Sequence, residues 1–402
     1  VKRHLSAFGL GPLCGRACRA AGAAVLALGV FAGAGAAQST TPAAPATPVG
    51  PAQAPLAPGV PDDGWPDISE FLDTKFGFMP VGTVITEPAV GLGAAGGLAF
   101  ISQPIGRGRP DIAMAGGFGT DNGSKGAVIG DSRYWFDGRV QTLAAVVWAS
   151  VNLDFYGLGN DSALADQPLS YNLEPSGGLV QAKIRLGRTP IWAGLAYAFA
   201  RTAAAFDAPE ETPGIPDTAR VSRIGGLGPS LTVDARDNMF TPTRGMYLDA
   251  MAGLFSESLG GDDTFQRLQV IGMYFQPLPG RIFTGARLQA ATTSEDTPFY
   301  MRPFVLMRGV PAMRYQGETL AQIEGEVRWQ FWKRLSLVAF GGAGAVWADV
   351  PLVPQPRWAS AAGGGLRYEL ARRYGIHVGV DVAGGPDGPA FYIQFGSAWI
   401  RP

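Results

Sequence analysis

Ala321-Gln322-Ile323-Glu324-Gly325-Glu326-Val327-Arg328-Trp329-Gln330-Phe331-Trp332 is the stretch that decides the fold. Its odd positions are Ala321, Ile323, Gly325, Val327, Trp329 and Phe331; its even positions are Gln322, Glu324, Glu326, Arg328, Gln330 and Trp332. Side chains that change face at every residue belong to a strand. One face of this strand is apolar and the other carries three charges. The pattern returns at 281–290, where Ile282, Thr284, Ala286, Leu288 and Ala290 oppose Arg281, Phe283, Gly285, Arg287 and Gln289. At 374–383, Ile376, Val378, Val380 and Val382 oppose His377, Gly379 and Asp381. At 230–236, Leu231, Val233 and Ala235 oppose Ser230, Thr232, Asp234 and Arg236. In the last segment, Phe391, Ile393, Phe395 and Trp399 oppose Tyr392, Gln394, Gly396 and Ala398.

Working outward, sixteen such segments separated by Gly, Pro, Asn and Asp turns are expected at about 78–85, 91–101, 111–118, 126–135, 140–153, 170–186, 191–205, 221–236, 245–257, 264–276, 281–292, 319–332, 334–347, 358–370, 374–383 and 390–399. No apolar run there is long enough for a membrane-spanning helix. A soluble sandwich alternates too. Aromatics at the ends of apolar faces, as at Trp347 and Trp399, favour a lipid-facing girdle instead. In lipid every backbone polar group needs a partner, so a sheet must close on itself. The expected fold is all-β, a transmembrane antiparallel barrel of about 16 strands. The longest gap between strands, 293–318, falls by parity on the extracellular side.

Composition agrees. The 402 residues include 57 Gly and only 16% charged residues, against roughly 25% in a soluble domain. With 32 basic and 33 acidic residues there is no cationic excess for nucleic acid. Both cysteines, Cys14 and Cys18, and one of two histidines, His4, lie in the first twenty residues.

Residues 1–37 read as a signal peptide. Lys2, Arg3, Arg16 and Arg19 precede an apolar run from Ala20 that ends in Ala34-Gly35-Ala36-Ala37. Its removal takes four basic residues and no acid, which leaves a net charge of −5 and no cysteine. Residues 38–75 read as a Pro/Ala-rich linker and a short periplasmic lead-in, with one short helix near Ile68–Leu72. The barrel occupies 76–402.

The long gap contains Phe304-Val305-Leu306-Met307-Arg308-Gly309-Val310-Pro311-Ala312-Met313-Arg314-Tyr315-Gln316-Gly317. It resembles the arginine-glycine loop of the bacterial surface antigen family, the superfamily of BamA/TamA-type assembly barrels. That family carries (V/L)-R-G-(Y/F) in the sixth extracellular loop of a sixteen-stranded barrel; here the tetrad is Met307, Arg308, Gly309, Val310. Three more stretches are similar to family motifs. Asp234, Arg236, Asp237, Asn238, Pro242 and Gly245 match a periplasmic D-x-R-D-N-x-x-x-P-x-x-G hairpin. Glu326-Val327-Arg328 matches an E-x-R strand. Phe340, Gly342 and Gly344 match F-x-D-x-G, with glycine replacing the acid at 342. The resemblance implies that Arg308 folds into the lumen and meets Glu326 there. Glu324, on the same face, is the second candidate partner. A guanidinium suits that role because it binds carboxylates with fixed geometry.

His377, Asp381, Arg367 and Glu369 also project inward, as ordinary lumen charge pairing or a polar pathway. Asp234, Arg236, Asp237 and Arg244 are read as turn fixers. Phe395, Gly396 and Trp399 partly resemble a C-terminal assembly signal, although Ile400-Arg401-Pro402 extend past it. Family members that insert or secrete proteins carry periplasmic POTRA domains ahead of the barrel, and no such domain fits before residue 76.

The implied role is outer-membrane protein assembly or translocation, in contact with outer-membrane lipid and with a periplasmic or membrane assembly partner. The alternative is a passive channel with a plug loop. An enzyme is not expected: beyond the leader only His377 offers an imidazole, and no G-x-S-x-G or metal-ligand cluster is present. No nucleic acid, metal or small-molecule cofactor is expected. The expected location is the bacterial outer membrane.

Overall fold

The computed structural model describes residues 63–74, 76–103, 110–156, 164, 168–207, 219–238, 240–348 and 357–399. The signal peptide assigned to 1–37 and most of the linker lie outside these residues. So do Ile400-Arg401-Pro402.

Sixteen strands follow one another: β1 (Gly77–Ile85), β2 (Gly93–Ile101), β3 (Ile112–Thr120), β4 (Lys125–Trp135), β5 (Val140–Phe155), β6 (Leu169–Arg185), β7 (Ile191–Phe206) and β8 (Ala219–Asp234) form the first half. The second half is β9 (Gly245–Phe255), β10 (Phe265–Leu278), β11 (Ile282–Thr293), β12 (Thr319–Trp332), β13 (Leu335–Trp347), β14 (Arg357–Ala371), β15 (Ile376–Gly385) and β16 (Gly388–Phe395). Each pairs antiparallel with its sequence neighbours in a single sheet. Among the described residues no ladder closes β1 on β16, although the two strands lie side by side. Strand length is uneven around the wall. β1, β2 and β3 have 9 residues each and β16 has 8, whereas β5 to β8 have 16 or 17.

The alternation in β12 does what its sequence requires. Ile323, Val327 and Trp329 are exposed on the outer wall, and Gln322, Glu324 and Arg328 are buried in the lumen. Leu288, Leu337, Val382 and Ile393 continue the apolar exterior on neighbouring strands. An outer wall of this kind facing water would expose far more contiguous apolar surface than a soluble monomer does.

One expected element ends early. β16 stops at Phe395, not at Trp399. Gly396 takes φ +74, the left-handed region that a side chain resists. The chain then turns inward. Trp399 is 5% exposed and packs against Phe275 inside the barrel, so it is no part of the outer girdle.

The lead-in is docked, not free. Asp67 Oδ1 accepts from Ser69 N at 2.7 Å and starts the six-residue helix α1 (Ser69–Thr74). Trp65 stacks on Tyr368 and meets Trp332 edge-on. Arg334, in the β12–β13 turn, grips Asp63 with two hydrogen bonds of 2.8 and 2.5 Å and reaches Asp67 at 3.1 Å. That guanidinium holds the Asp63 carboxyl at about 2, below its ordinary value.

Candidate functional site

The loop between β11 and β12 crosses the lumen. Its own two limbs pair, Val305 N to Tyr315 O at 2.9 Å with a bridge between Phe304 and Gln316, so it enters as a narrow hairpin. Val305 and Val310 are wholly buried, and Met307 nearly so, against Leu320, Val346 and Ala361 of the wall. Gln322 holds Leu306 from both sides, accepting from its N at 2.9 Å and donating to its O at 2.8 Å.

Arg308 sits at the loop tip. Its Nη2 bonds Glu326 Oε2 at 2.6 Å and its Nη1 bonds Asp381 Oδ2 at 2.7 Å. Its guanidinium lies 3.5 Å over the Phe340 ring. Asp381 is completely buried and also receives Arg367 through bonds of 2.6 and 2.9 Å. Two arginines and two carboxylates thus form a neutral quartet drawn from the loop, β12, β14 and β15. Arg308, Arg367 and Asp381 are buried and Glu326 partly so, and burial of such charges is tolerable only with this degree of pairing.

Gly309 shows why glycine follows the arginine. It has φ +92, and a Cβ there would come within 2.9 Å of Ala361 Cβ and 3.2 Å of Ala383 Cβ. Its N–H donates to Tyr392 Oη on β16 at 2.8 Å. The tip is therefore pressed against β14, β15 and β16.

The opposite flank of the loop binds differently. Phe299, Tyr300, Met301 and Met313 are buried in an apolar cluster with Tyr171, Leu173 and Phe206 of β6 and β7. Phe299 contacts Phe155, Tyr171 and Phe206, with ring centroids 5.4 to 6.1 Å apart. Two side-chain hydrogen bonds accompany this contact among the described residues, Ser222 with Tyr300 Oη at 2.9 Å and Tyr171 Oη donating to Met313 Sδ at 3.7 Å.

The other end of the lumen is closed by the β8–β9 hairpin and the C-terminal segment. Asp234 and Arg236 form a bidentate pair with Tyr247 beneath the guanidinium. Asp237 caps the turn by accepting from Thr243 N and Arg244 N at 2.9 and 3.1 Å. Asn238 Oδ1 accepts from Phe240 N and Thr241 N, while its Nδ2 donates across the mouth to Tyr374 O at 2.6 Å. Pro242 is buried beside the His377 region. Gly245 has φ +104, with no room for a side chain against the Ala235 carbonyl. Ser397 N donates to Phe240 O at 2.7 Å, which ties the tail to the hairpin.

Glu324, the second candidate for the partner of Arg308, binds elsewhere. It takes Arg287 at 2.5 Å, Gln322 at 2.8 Å and the Trp399 indole N–H at 3.2 Å. Arg287 itself is fixed to Leu306 O at 3.2 Å, which leaves Glu324 one step away from the loop. Phe340 stacks on Arg308. Gly342 and Gly344 give room: a Cβ at Gly342 would meet Glu324 Cγ at 2.8 Å, and one at Gly344 would meet Val305 at 2.9 Å. His377 has both ring nitrogens engaged, Nε2 with Arg328 at 3.0 Å and Nδ1 with Gly375 O at 2.9 Å. Asp381 and Tyr392 are the residues sequence reasoning did not assign to the Arg308–Gly309 tip. Alternation had placed Asp381 on the inward face without saying what meets it there.

Residues 219–373 match the Omp85 superfamily domain. The chain carries an Omp85 superfamily domain. The matched span runs from β8 into the β14–β15 turn and contains the hairpin, the lumen loop and the Glu326 strand. No curated protein sequence matches this chain. Among solved structures it is similar to BamA from Haemophilus ducreyi lacking POTRA domains 1–3, at 13% identity and TM-score 0.57, over 80% of this chain and 70% of that one. It is also similar to CdiB from Escherichia coli (13% identity, TM-score 0.53, 79% and 61% covered) and CdiB from Acinetobacter baumannii (11%, 0.51, 79% and 59%). At such identity the likeness is one of fold. The chain spans about three fifths of the CdiB chains it matches.

Proposed function

We propose that this Omp85-type barrel resides in the bacterial outer membrane and takes part in the assembly or translocation of proteins there. The observation that carries this reading is a loop ion-paired across the lumen beside a seam without a ladder. The loop tip rests on β12 to β16, and β16 borders the seam, so loop release and seam movement share residues. An open strand edge is a natural place for a client strand to pair. A separate periplasmic partner would deliver clients. The reading is of a non-catalytic protein that takes no cofactor. The test is depletion of the protein in its own host, followed by measurement of outer-membrane protein and lipid content. Loss of specific barrel or secreted proteins is expected, and an unaltered outer membrane would end the proposal.

A second reading, a channel plugged by the loop, is favoured by one observation: the loop reaches from β6 and β7 on one wall to β12, β15 and β16 on the other. It predicts conductance on loop release with no defect in outer-membrane composition on depletion.

A further inference from the structure

Three turns at the lead-in end of the barrel surround a cleft of about 680 Å³. Arg281 comes from the β10–β11 turn, Lys333 and Arg334 from β12–β13, and Arg372 and Arg373 from β14–β15. Asp63 and Glu369 are the acids that line it. Most of the acidic charge nearby is already used. Asp63 and Asp67 are taken by Arg334, Asp73 is taken by Arg373, and Arg372 reaches only the shared Asp63 at 3.6 Å. Among the described residues no carboxylate lies within ion-pair distance of Arg281 or Lys333. Arg281 Nη2 nevertheless approaches the Lys333 carbonyl at 3.5 Å, so two cationic turns are held side by side. Both residues have left-handed backbones, φ 62 and 41, which non-glycine residues seldom adopt. The turn geometry thus sets two cations on neighbouring turns, neither of them ion-paired, in a cleft whose other carboxylate besides Asp63 is Glu369.

The setting indicates which anion would suit these cations. Trp329, Phe331 and Trp332 are exposed on the outer wall next to the cleft. The Lys333 ammonium lies 5.6 and 5.8 Å from the Trp65 and Trp332 rings. Aromatic side chains of this kind mark the level of lipid headgroups, with acyl chains along the apolar wall beside them. A phosphate at that level would lie beside the turns that carry Arg281 and Lys333. We propose that this cleft binds the phosphate of an anionic phospholipid in the adjoining leaflet. The proposal rests on the membrane-embedded reading above, and is independent of any assembly role.

The test reconstitutes the full chain into phosphatidylcholine vesicles with a minority of phosphatidylglycerol. Lipids that stay bound on re-extraction are counted by native mass spectrometry. The wild-type protein is expected to retain phosphatidylglycerol well above its bulk share. Arg281→Gln with Lys333→Gln is expected to cut that enrichment by about tenfold, because cations at a membrane surface each add to anionic-lipid attraction. Arg188→Gln, on the β6–β7 turn at the same end, is expected to change nothing. Equal retention of the two lipids, or equal loss in the Arg188 variant, overturns the proposal. So does displacement of the lipid by millimolar inorganic phosphate with retention of the phosphate, which would make this a free-anion site. Failure of the wild-type protein to enter vesicles would overturn the membrane reading itself, a result visible before any lipid is counted.

Discussion

The two flanks of the lumen loop are held by opposite kinds of chemistry. At the tip, Arg308 is bound by Glu326 and Asp381, with Arg367 completing the quartet. At the far flank, Phe299, Tyr300, Met301 and Met313 are bound by the apolar faces of β6 and β7. Apolar burial is additive and direction-free, so losing part of it costs a part. A buried charge network is all-or-none, because removing one member strands its partners. The tip is therefore the flank that a single event can free, and the aromatic flank is the hinge side that stays.

The largest effect is expected at Asp381. Asp381→Ala leaves Arg308 with Glu326 alone and, among the described residues, Arg367 with no carboxylate within ion-pair distance, and should cost about 3–5 kcal/mol in denaturant unfolding. A loss similar to that of a surface carboxylate would break the distinction between the flanks. Next is Phe299→Ala, expected to cost about 3 kcal/mol through lost burial and a cavity. It should leave conductance unchanged, since the tip remains latched; a large open channel here would reverse the assignment of hinge and latch.

Arg308→Lys sharpens the same comparison. One ammonium cannot reproduce a planar fork that reaches two carboxylates on different strands. About 1.5–3 kcal/mol should be lost, the range for hydrogen bonds to charged groups, despite the retained charge. Full stability in this variant would mean that charge alone holds the tip.

The smallest effect concerns the lead-in. Asp63 is held at about 2 by Arg334, below the ordinary 3.8. A depressed carboxylate stabilises docking fully above the free value and ceases to do so as pH falls through the bound one. Trp65 fluorescence should therefore report release of the lead-in between about pH 4 and pH 2, and Arg334→Gln should show it released at neutral pH. A pH-independent signal in the wild-type protein would show that the Trp65 stacking holds the lead-in without the ion pair.

Most of the wall was legible because a strand that separates lipid from lumen must alternate at every residue. All sixteen strands fall where the alternation puts them, with ends shifted by a few residues. The error at β16 has a plain cause. Phe391, Ile393 and Phe395 set a period that Trp399 happens to continue, while Gly396 breaks the backbone between them. The Arg308–Glu326 contact was reachable through the loop resemblance. Asp381 was not, because its strand lies 73 residues on in sequence and alternation says which face a residue takes, not what crosses the lumen to meet it. The docking of the lead-in was hidden for the same reason: nothing in the linker and lead-in stretch that holds Asp63 and Trp65 says that Arg334 and Tyr368 lie beside them.

The most direct test of the latch is single-channel conductance of the refolded protein in planar bilayers, beside Arg308→Ala and Asp381→Ala. The account predicts a closed wild-type barrel and larger, frequently open channels in both variants, to a similar extent. If all three proteins conduct alike, the quartet does not hold the loop in the lumen and the account is wrong.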